Sequence, residues 1–124
     1  MKNQKVKILI ADDDPDFLQM YKIELERGGF EVLTTSTSEG CLIKALEEKP
    51  DLILLDVMMP KISGFEVLET LKATPETEKI PVVMITALGD EHKMRAKQLG
   101  AHHYLQKTKV TPIELVHKIK EALH

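Results

Sequence analysis

Six side chains sit where chemistry could gather. Asp12, Asp13 and Asp14 stand in a row, Asp56 and Thr86 each end an apolar run, and Lys107 closes a third. Carboxylates brought within a few ångströms repel one another, so one keeps a proton or a cation neutralises them. An all-oxygen set favours a hard ion, magnesium first. A carboxylate beside that ion can attack a phosphoryl group and form an acyl phosphate. The charge on the transferring oxygens then asks for a metal, a cation and a hydrogen-bond donor. Lys107 and Thr86 are residues of the last two types. Singly, each position has an ordinary explanation: a capped acidic turn, a strand-end Asp or Thr, a solvated lysine. Their coincidence at one rim is the informative observation.

That rim is set by the elements that must carry it. Lys7 to Ala11 is a short apolar run, read as a buried strand. Asp14-Pro15 supplies an N-cap and a first-turn proline, and Phe17, Tyr21 and Leu25 form one helical stripe. Gly28-Gly29 ends that helix. Phe30 to Thr34 alternates as a half-buried strand. Ser36-Thr37-Ser38 offers a cap, and Leu42, Ala45 and Leu46 make a second stripe before Pro50. Leu52 to Leu55 is apolar throughout, as in a strand covered on both faces.

Ser63-Gly64-Phe65-Glu66 is a capping box ahead of the stripe Phe65, Leu68, Leu71, and Thr74-Pro75 closes that helix. Pro81 to Ile85 is a fourth strand, Asp90 opens a fourth helix that Gly100 ends, and Ala101 to Gln106 is a fifth strand. Thr111-Pro112-Ile113-Glu114 opens the last helix, striped by Val116, Ile119 and Leu123. Strand and helix thus alternate five times. The pattern predicts a doubly wound α/β fold: a parallel sheet with helices on both faces. Ligands of such sheets bind beyond the carboxyl ends of the strands, where the acidic, hydroxyl and cationic residues fall.

Composition narrows the class. At 124 residues the chain is one domain's worth, and no output domain is expected within it. A chain this long buries roughly two-thirds of its unfolded surface. Hydrophobic residues make up 43% and charged residues 30%, which excludes collagen-like and low-complexity chains. The net charge of −3, from 17 basic and 20 acidic residues, argues against a direct nucleic-acid binder. Cys41 is the single cysteine, so no intrachain disulfide forms; it reads as a small buried apolar group. The polar, basic start from Met1 to Val6 precedes an apolar run too short for a signal peptide. No run approaches a membrane span. The expectation by elimination is a cytoplasmic protein.

Four segments together resemble the receiver domain of two-component response regulators. They are Ile8-Leu-Ile-Ala-Asp-Asp-Asp-Pro15, Pro50-Asp-Leu-Ile-Leu-Leu-Asp-Val-Met-Met-Pro60 with Ser63 to Glu66, Ile80-Pro-Val-Val-Met-Ile-Thr-Ala87, and Gly100-Ala-His-His-Tyr-Leu-Gln-Lys107. The resemblance implies a flavodoxin-like, CheY-like sheet of five parallel strands in order 2-1-3-4-5. It implies that Asp56 accepts a phosphoryl group from a histidine kinase or phosphotransfer domain. Asp12 and Asp13 become the pair that holds Mg²⁺, with Asp56 and the backbone carbonyl of Met58 beside it. Thr86 is the hydroxyl that closes on the phosphoryl group, Lys107 the cation that pairs with it, and Tyr104 the aromatic switch. Ala87 leaves room beside the site.

The same resemblance implies a signalling domain rather than an enzyme. Its output face is built from the fourth helix, fifth strand and fifth helix, where Lys93, Lys97, His102, His103 and Lys118 fall. A partner protein or output domain would read that face, with no membrane and no nucleic acid bound directly, and dimerisation on phosphorylation left open. One departure stands out: Thr108 follows Lys107 where the family usually has proline after a cis bond. A cis bond before a non-proline residue is costly, so residues 107–111 are expected either to be reshaped in trans or to carry strain.

Three rival readings come from other classes. An Asp-nucleophile phosphatase typically places a second Asp two residues after the first, where this chain has Met58. A nucleotide or flavin binder would need a glycine-rich phosphate loop after the first strand. A degenerate receiver would bind partners without phosphorylation. The adjacent His102 and His103 do not easily chelate one ion, since neighbouring strand residues point to opposite faces.

Overall fold

The segments Ile8–Ala11, Leu52–Leu55 and Val82–Ile85 have almost no solvent contact, which is why they read as unbroken apolar runs. They are the three central strands of a five-stranded parallel sheet in order β2-β1-β3-β4-β5. A computed structural model describes residues 5–124; Met1 to Gln4 of the polar start lie outside them. The elements run β1 (Lys7–Ala11), α1 (Pro15–Arg27), β2 (Glu31–Thr35), α2 (Ser38–Glu48), β3 (Leu52–Leu55), α3 (Gly64–Ala73), β4 (Val82–Thr86), α4 (Lys93–Gln98), β5 (His103–Gln106) and α5 (Pro112–Ala122). The strands at the sheet's edges, β2 and β5, are only partly buried.

Side chains alternate across each strand, so the sheet builds two cores. Leu9, Ile53, Leu55, Val82 and Met84 face α2, α3 and Ala96 of α4. Ile8, Ile10, Leu52, Leu54, Val83 and Ile85 face α1 and α5 through Tyr21, Leu25, Leu115 and Ile119. The parallel order, with helices on both faces, is the doubly wound arrangement expected from the alternation.

Most helix starts follow their caps. Asp14 accepts from the amides of Asp16 and Phe17, and Pro15 occupies the first turn of α1. Both expected capping boxes form, Ser63 with Glu66 and Thr111 with Glu114. Gly29, at φ +95°, takes the left-handed turn after α1.

Four details differ from the sequence reading. Leu46 is 46% exposed; the buried seam of α2 is Ser38, Cys41 and Ala45, with Leu42 only partly covered. The last helix buries Leu115 and Ala122 more deeply than Val116 and Leu123, a rotation of one position. Asp90 opens a 3₁₀ turn, Asp90–His92, and α4 proper starts only at Lys93. Neither start has a side-chain cap, which leaves the first amides without the bond that would fix a full α-helical turn. Finally, β5 begins at His103, because the amide of Ala101 still bonds back to Ala96 O and closes α4.

Candidate functional site

Strand register brings Asp12 and Asp56 together. Ala11 pairs with Leu55 across β1 and β3, so the next residue of each strand leaves the sheet side by side. The amide of Asp56 donates to Ala11 O at 2.9 Å, and that of Asp12 to Thr35 O at 3.1 Å, fixing both backbones at the rim. One carboxylate oxygen from each of Asp12, Asp13 and Asp56 lies within 4.8 Å of the others. Asp12 and Asp56 are buried and Asp13 is exposed. This is the gathering that the resemblance implies for these three residues.

Lys107 reaches the same point from the far side. Its amide donates to Thr86 O at 2.8 Å, which sets the chain at the end of β5 beside β4. Its ammonium stands 2.7 Å from Asp12 Oδ2 and 3.3 Å from Asp56 Oδ2, with the side chain 8% exposed. It donates a hydrogen bond to Asp56. The closer of the two contacts is the ion pair with Asp12 Oδ2, an oxygen buried at the base of the cluster. Asp12 Oδ1 accepts from the amide of Asp14, and Asp56 Oδ1 from that of Met58.

These contacts set the charge states. Burial and the neighbouring Asp12 charge push the Asp56 carboxyl up to about 6, against the pull of Lys107 and the Met58 amide. Burial alone would lower Lys107, but the Asp12 and Asp56 carboxylates outweigh it and hold its pKa above the ordinary value. One ammonium against three carboxylates leaves the cluster short of positive charge. Hard oxygen donors within reach of one another and this charge imbalance both suit a small divalent cation such as Mg²⁺.

The cluster opens to solvent through a cavity of about 600 Å³, bounded by Asp13, Asp14, Met58, Pro60, Ala87 and Lys107 among others. Met58 is 54% exposed beside it. Gly64 explains how the loop after β3 folds so tightly over the strand end. A Cβ there would meet Asp56 O at 2.2 Å and Val57 Cα at 2.7 Å, and the Gly64 amide donates to Val57 O at 2.8 Å. That close approach was not read from the sequence, where Gly64 counted only as part of a capping box.

Thr86 ends β4 fully buried, and its Oγ1 accepts from the amide of Leu88 at 3.2 Å. Its hydroxyl is thus engaged with its own loop. Tyr104 is buried in the α2–α3–α4 core, and its hydroxyl donates to Gly89 O at 2.8 Å, in the same β4–α4 loop. Thr86 and Tyr104 are therefore tied to one segment, residues 87–90. The bond after Lys107 is trans, and no peptide bond among the described residues is cis. Residues 107–110 turn instead by donating the amides of Lys109 and Val110 to Gln106 O.

Lys93, Lys97, His102, His103 and Lys118 line one cavity of about 440 Å³ on the α4–β5–α5 side. The two imidazoles do not point apart as alternation suggested. Their centroids are 5.8 Å apart at 71°, because His102 precedes the strand and need not follow its pleat. Burial, then the nearby Lys118 and His102, holds His103 below the ordinary histidine range despite Glu121.

Two residues matter beyond those expected. Phe17, read as a core stripe, places its ring under the Lys107 ammonium, 4.1 Å from the centroid. Gln106 donates to Asp90 at 2.8 Å, tying β5 to the start of the 3₁₀ turn. Sequence spacing offers no signal for either contact, since both depend on side-chain direction across the rim.

Known proteins with this geometry are recognisable. The model of the response regulator receiver domain matches residues 8–120. The alkaline phosphatase synthesis transcriptional regulatory protein PhoP of Bacillus subtilis is 40% identical, over 94% of this chain and 48% of its own length. The phosphate regulon transcriptional regulatory protein PhoB of Rhizobium meliloti is 37% identical, over 94% of this chain and 52% of its own. The chain thus spans about half the length of these curated relatives. A solved CheY-like receiver domain protein from Methanospirillum hungatei superposes with a TM-score of 0.89 at 33% identity, covering 97% of this chain and 94% of that one. No helix among the described residues is long and apolar enough to cross a membrane. By fold, rim and sequence alike, this chain belongs to the response regulator receiver domain family of two-component signal transduction.

Proposed function

We propose that Asp56 accepts a phosphoryl group from a phosphohistidine on a sensor kinase or phosphotransfer protein, and that the acyl phosphate switches the α4–β5–α5 face. The observation that carries this reading is the convergence of Asp12, Asp13, Asp56 and Lys107, the last three of which line one open cavity. Above a pH of about 6 the Asp56 carboxyl is ionised and nucleophilic. A carboxylate oxygen forms the new bond to phosphorus, the bond from phosphorus to the donor's imidazole nitrogen breaks, and that nitrogen keeps the electron pair.

Asp12, Asp13 and Asp56, with the carbonyl of Met58, would hold Mg²⁺. When bound, that ion neutralises the clustered carboxylates and stabilises charge on the phosphoryl oxygens. Lys107 supplies the second positive charge, already stationed against Asp56. The Thr86 hydroxyl, which accepts from the Leu88 amide, has its own O–H to donate to a phosphoryl oxygen. Drawing Thr86 toward position 56 pulls on residues 87–90, where the Tyr104 hydroxyl and Gln106 are tied. Such a two-state loop is what a phosphorylation switch needs.

The reader of that face is a protein partner or an output domain. Lys93, Lys97 and Lys118 around its cavity favour an acidic contact surface. With 17 basic and 20 acidic residues, these 124 residues lack the basic excess that phosphate-backbone binding draws on, which favours a protein contact.

The test is incubation with a small phosphodonor and Mg²⁺, followed by intact mass. The native chain gains one acid- and base-labile phosphoryl group, and Asp56→Asn gains none. No gain by the native chain would make it a phosphorylation-independent binding module. Sustained turnover of phosphate esters would make it a phosphatase.

A further inference from the structure

The ammonium of Lys107 has a third neighbour besides its two carboxylates. Asp12 Oδ2 lies at 2.7 Å, Asp56 Oδ2 at 3.3 Å, and the face of the Phe17 ring at 4.1 Å from its centroid. The ring is itself fixed, tilted against Tyr21 with centroids 5.4 Å apart, on the first turns of the capped helix α1. We propose that Phe17 is a positioning residue for phosphotransfer, its ring face holding the Lys107 ammonium in register with Asp12 and Asp56. This inference rests on the reading of Lys107 as the cation of the phosphoryl site.

Three physical points support it. The face of an aromatic ring is electronegative and attracts a cation, the more strongly where water is excluded, and this side chain is 8% exposed. A lysine stem has many rotamers, and ordering it costs entropy, so a further contact on the open side of the ammonium helps fix its end. Here the hydrogen bond to Asp56 is long at 3.3 Å, so of the two carboxylates only Asp12, at 2.7 Å, holds the nitrogen closely.

The ring also differs from a carboxylate in a way that suits the chemistry. It stabilises the charge without capturing a specific N–H, so the ammonium stays free to turn its donors toward an arriving phosphoryl oxygen. A leucine or methionine at position 17 would fill the same space and offer no such attraction. Beyond Lys107 the backbone turns immediately through the bonds to Gln106 O, so the side chain must be steadied from outside its own loop.

The experiment replaces Phe17 with mono-, di- and trifluorophenylalanine, and separately with Tyr and Leu, and reads two signals. The first is the proton shift of the Lys107 ε-methylene, assigned by comparison with Lys107→Arg. The second is the rate of phosphoryl uptake from a small phosphodonor at saturating Mg²⁺, with Tm as the folding control. Ring current moves the ε-methylene upfield in the native chain; Phe17→Leu loses that shift and Phe17→Tyr keeps it. Uptake falls stepwise as fluorine empties the ring face, reaching about fivefold in Phe17→Leu, at nearly unchanged Tm in the fluorinated chains.

An unshifted methylene in the native chain overturns the inference. So does a rate that is flat across the fluorinated series, since packing alone would then explain Phe17. Native uptake with a flat series removes only the role of Phe17. No native uptake at all removes the phosphoacceptor reading, and the role of Phe17 with it.

Discussion

The ammonium of Lys107 lies 3.3 Å from Oδ2 of Asp56, across 51 residues of sequence. The pair is buried, with side chains 8% and 4% exposed, and Asp12 crowds the same nitrogen. Removing the cation leaves carboxylates in a poorly solvated site. Lys107→Met is expected to lower stability at neutral pH by about 3 kcal/mol, the low end for a broken buried pair because the cavity admits water. Urea unfolding with and without Mg²⁺ measures it, and added Mg²⁺ should recover part of the loss.

Asp56 itself makes the folded chain pH-sensitive. Its carboxyl has a pKa of about 6 in the folded state against 3.8 as the unperturbed value. The folded state therefore binds this proton more tightly than the unfolded one. The contribution is fully favourable below about pH 4 and is lost as pH rises through about 6, a swing of about 3 kcal/mol. Asp56→Asn cannot ionise. Thermal unfolding should show it more stable than the native chain by about 2–3 kcal/mol at about pH 8, with the advantage fading by about pH 4.

Gly64 bears directly on the backbone of Asp56. A methyl at this position would meet Asp56 O at 2.2 Å, and backbone gives way less readily than a side chain. Gly64→Ala should cost about 3 kcal/mol in unfolding experiments and move the amide resonances of residues 56–58, whereas Gly28→Ala at the end of α1 should leave those resonances in place.

Lys49 caps α2 in the left-handed region, at φ 49°. That conformation costs a residue with a Cβ about 1 kcal/mol and costs glycine almost nothing. Its side chain is exposed. Lys49→Gly should raise stability by about 1 kcal/mol and leave phosphoryl uptake unchanged.

Much of this architecture could be read from residue order because its signals are local. Pro15, the capping boxes at Ser63 and Thr111, and the unbroken run Leu52 to Leu55 each report an element through nearby backbone geometry. The carboxylate cluster was legible only in part: the pattern places Asp12 and Asp56 at strand ends, but that those strands are neighbours came from the family resemblance, because strand order is not a local signal. The fourth helix was read less well, since Asp90 resembles a cap yet its side chain goes to Gln106. Leu46 failed because a helical stripe wide enough to include it cannot be separated by pattern from the narrower Ser38–Cys41–Ala45 seam. The place of Phe17 under Lys107 depends on rotamers meeting across the rim, which no periodicity encodes.

Position 56 is the proposed carrier of the phosphoryl group. Acyl phosphates are reduced by borohydride to the alcohol, so trapping after phosphodonor treatment converts a phosphorylated aspartate to homoserine. Peptide mapping of the reduced chain is predicted to find homoserine at position 56 alone. Homoserine at Asp12 or Asp13, or a stable label on a histidine with none at 56, would rule Asp56 out as that carrier.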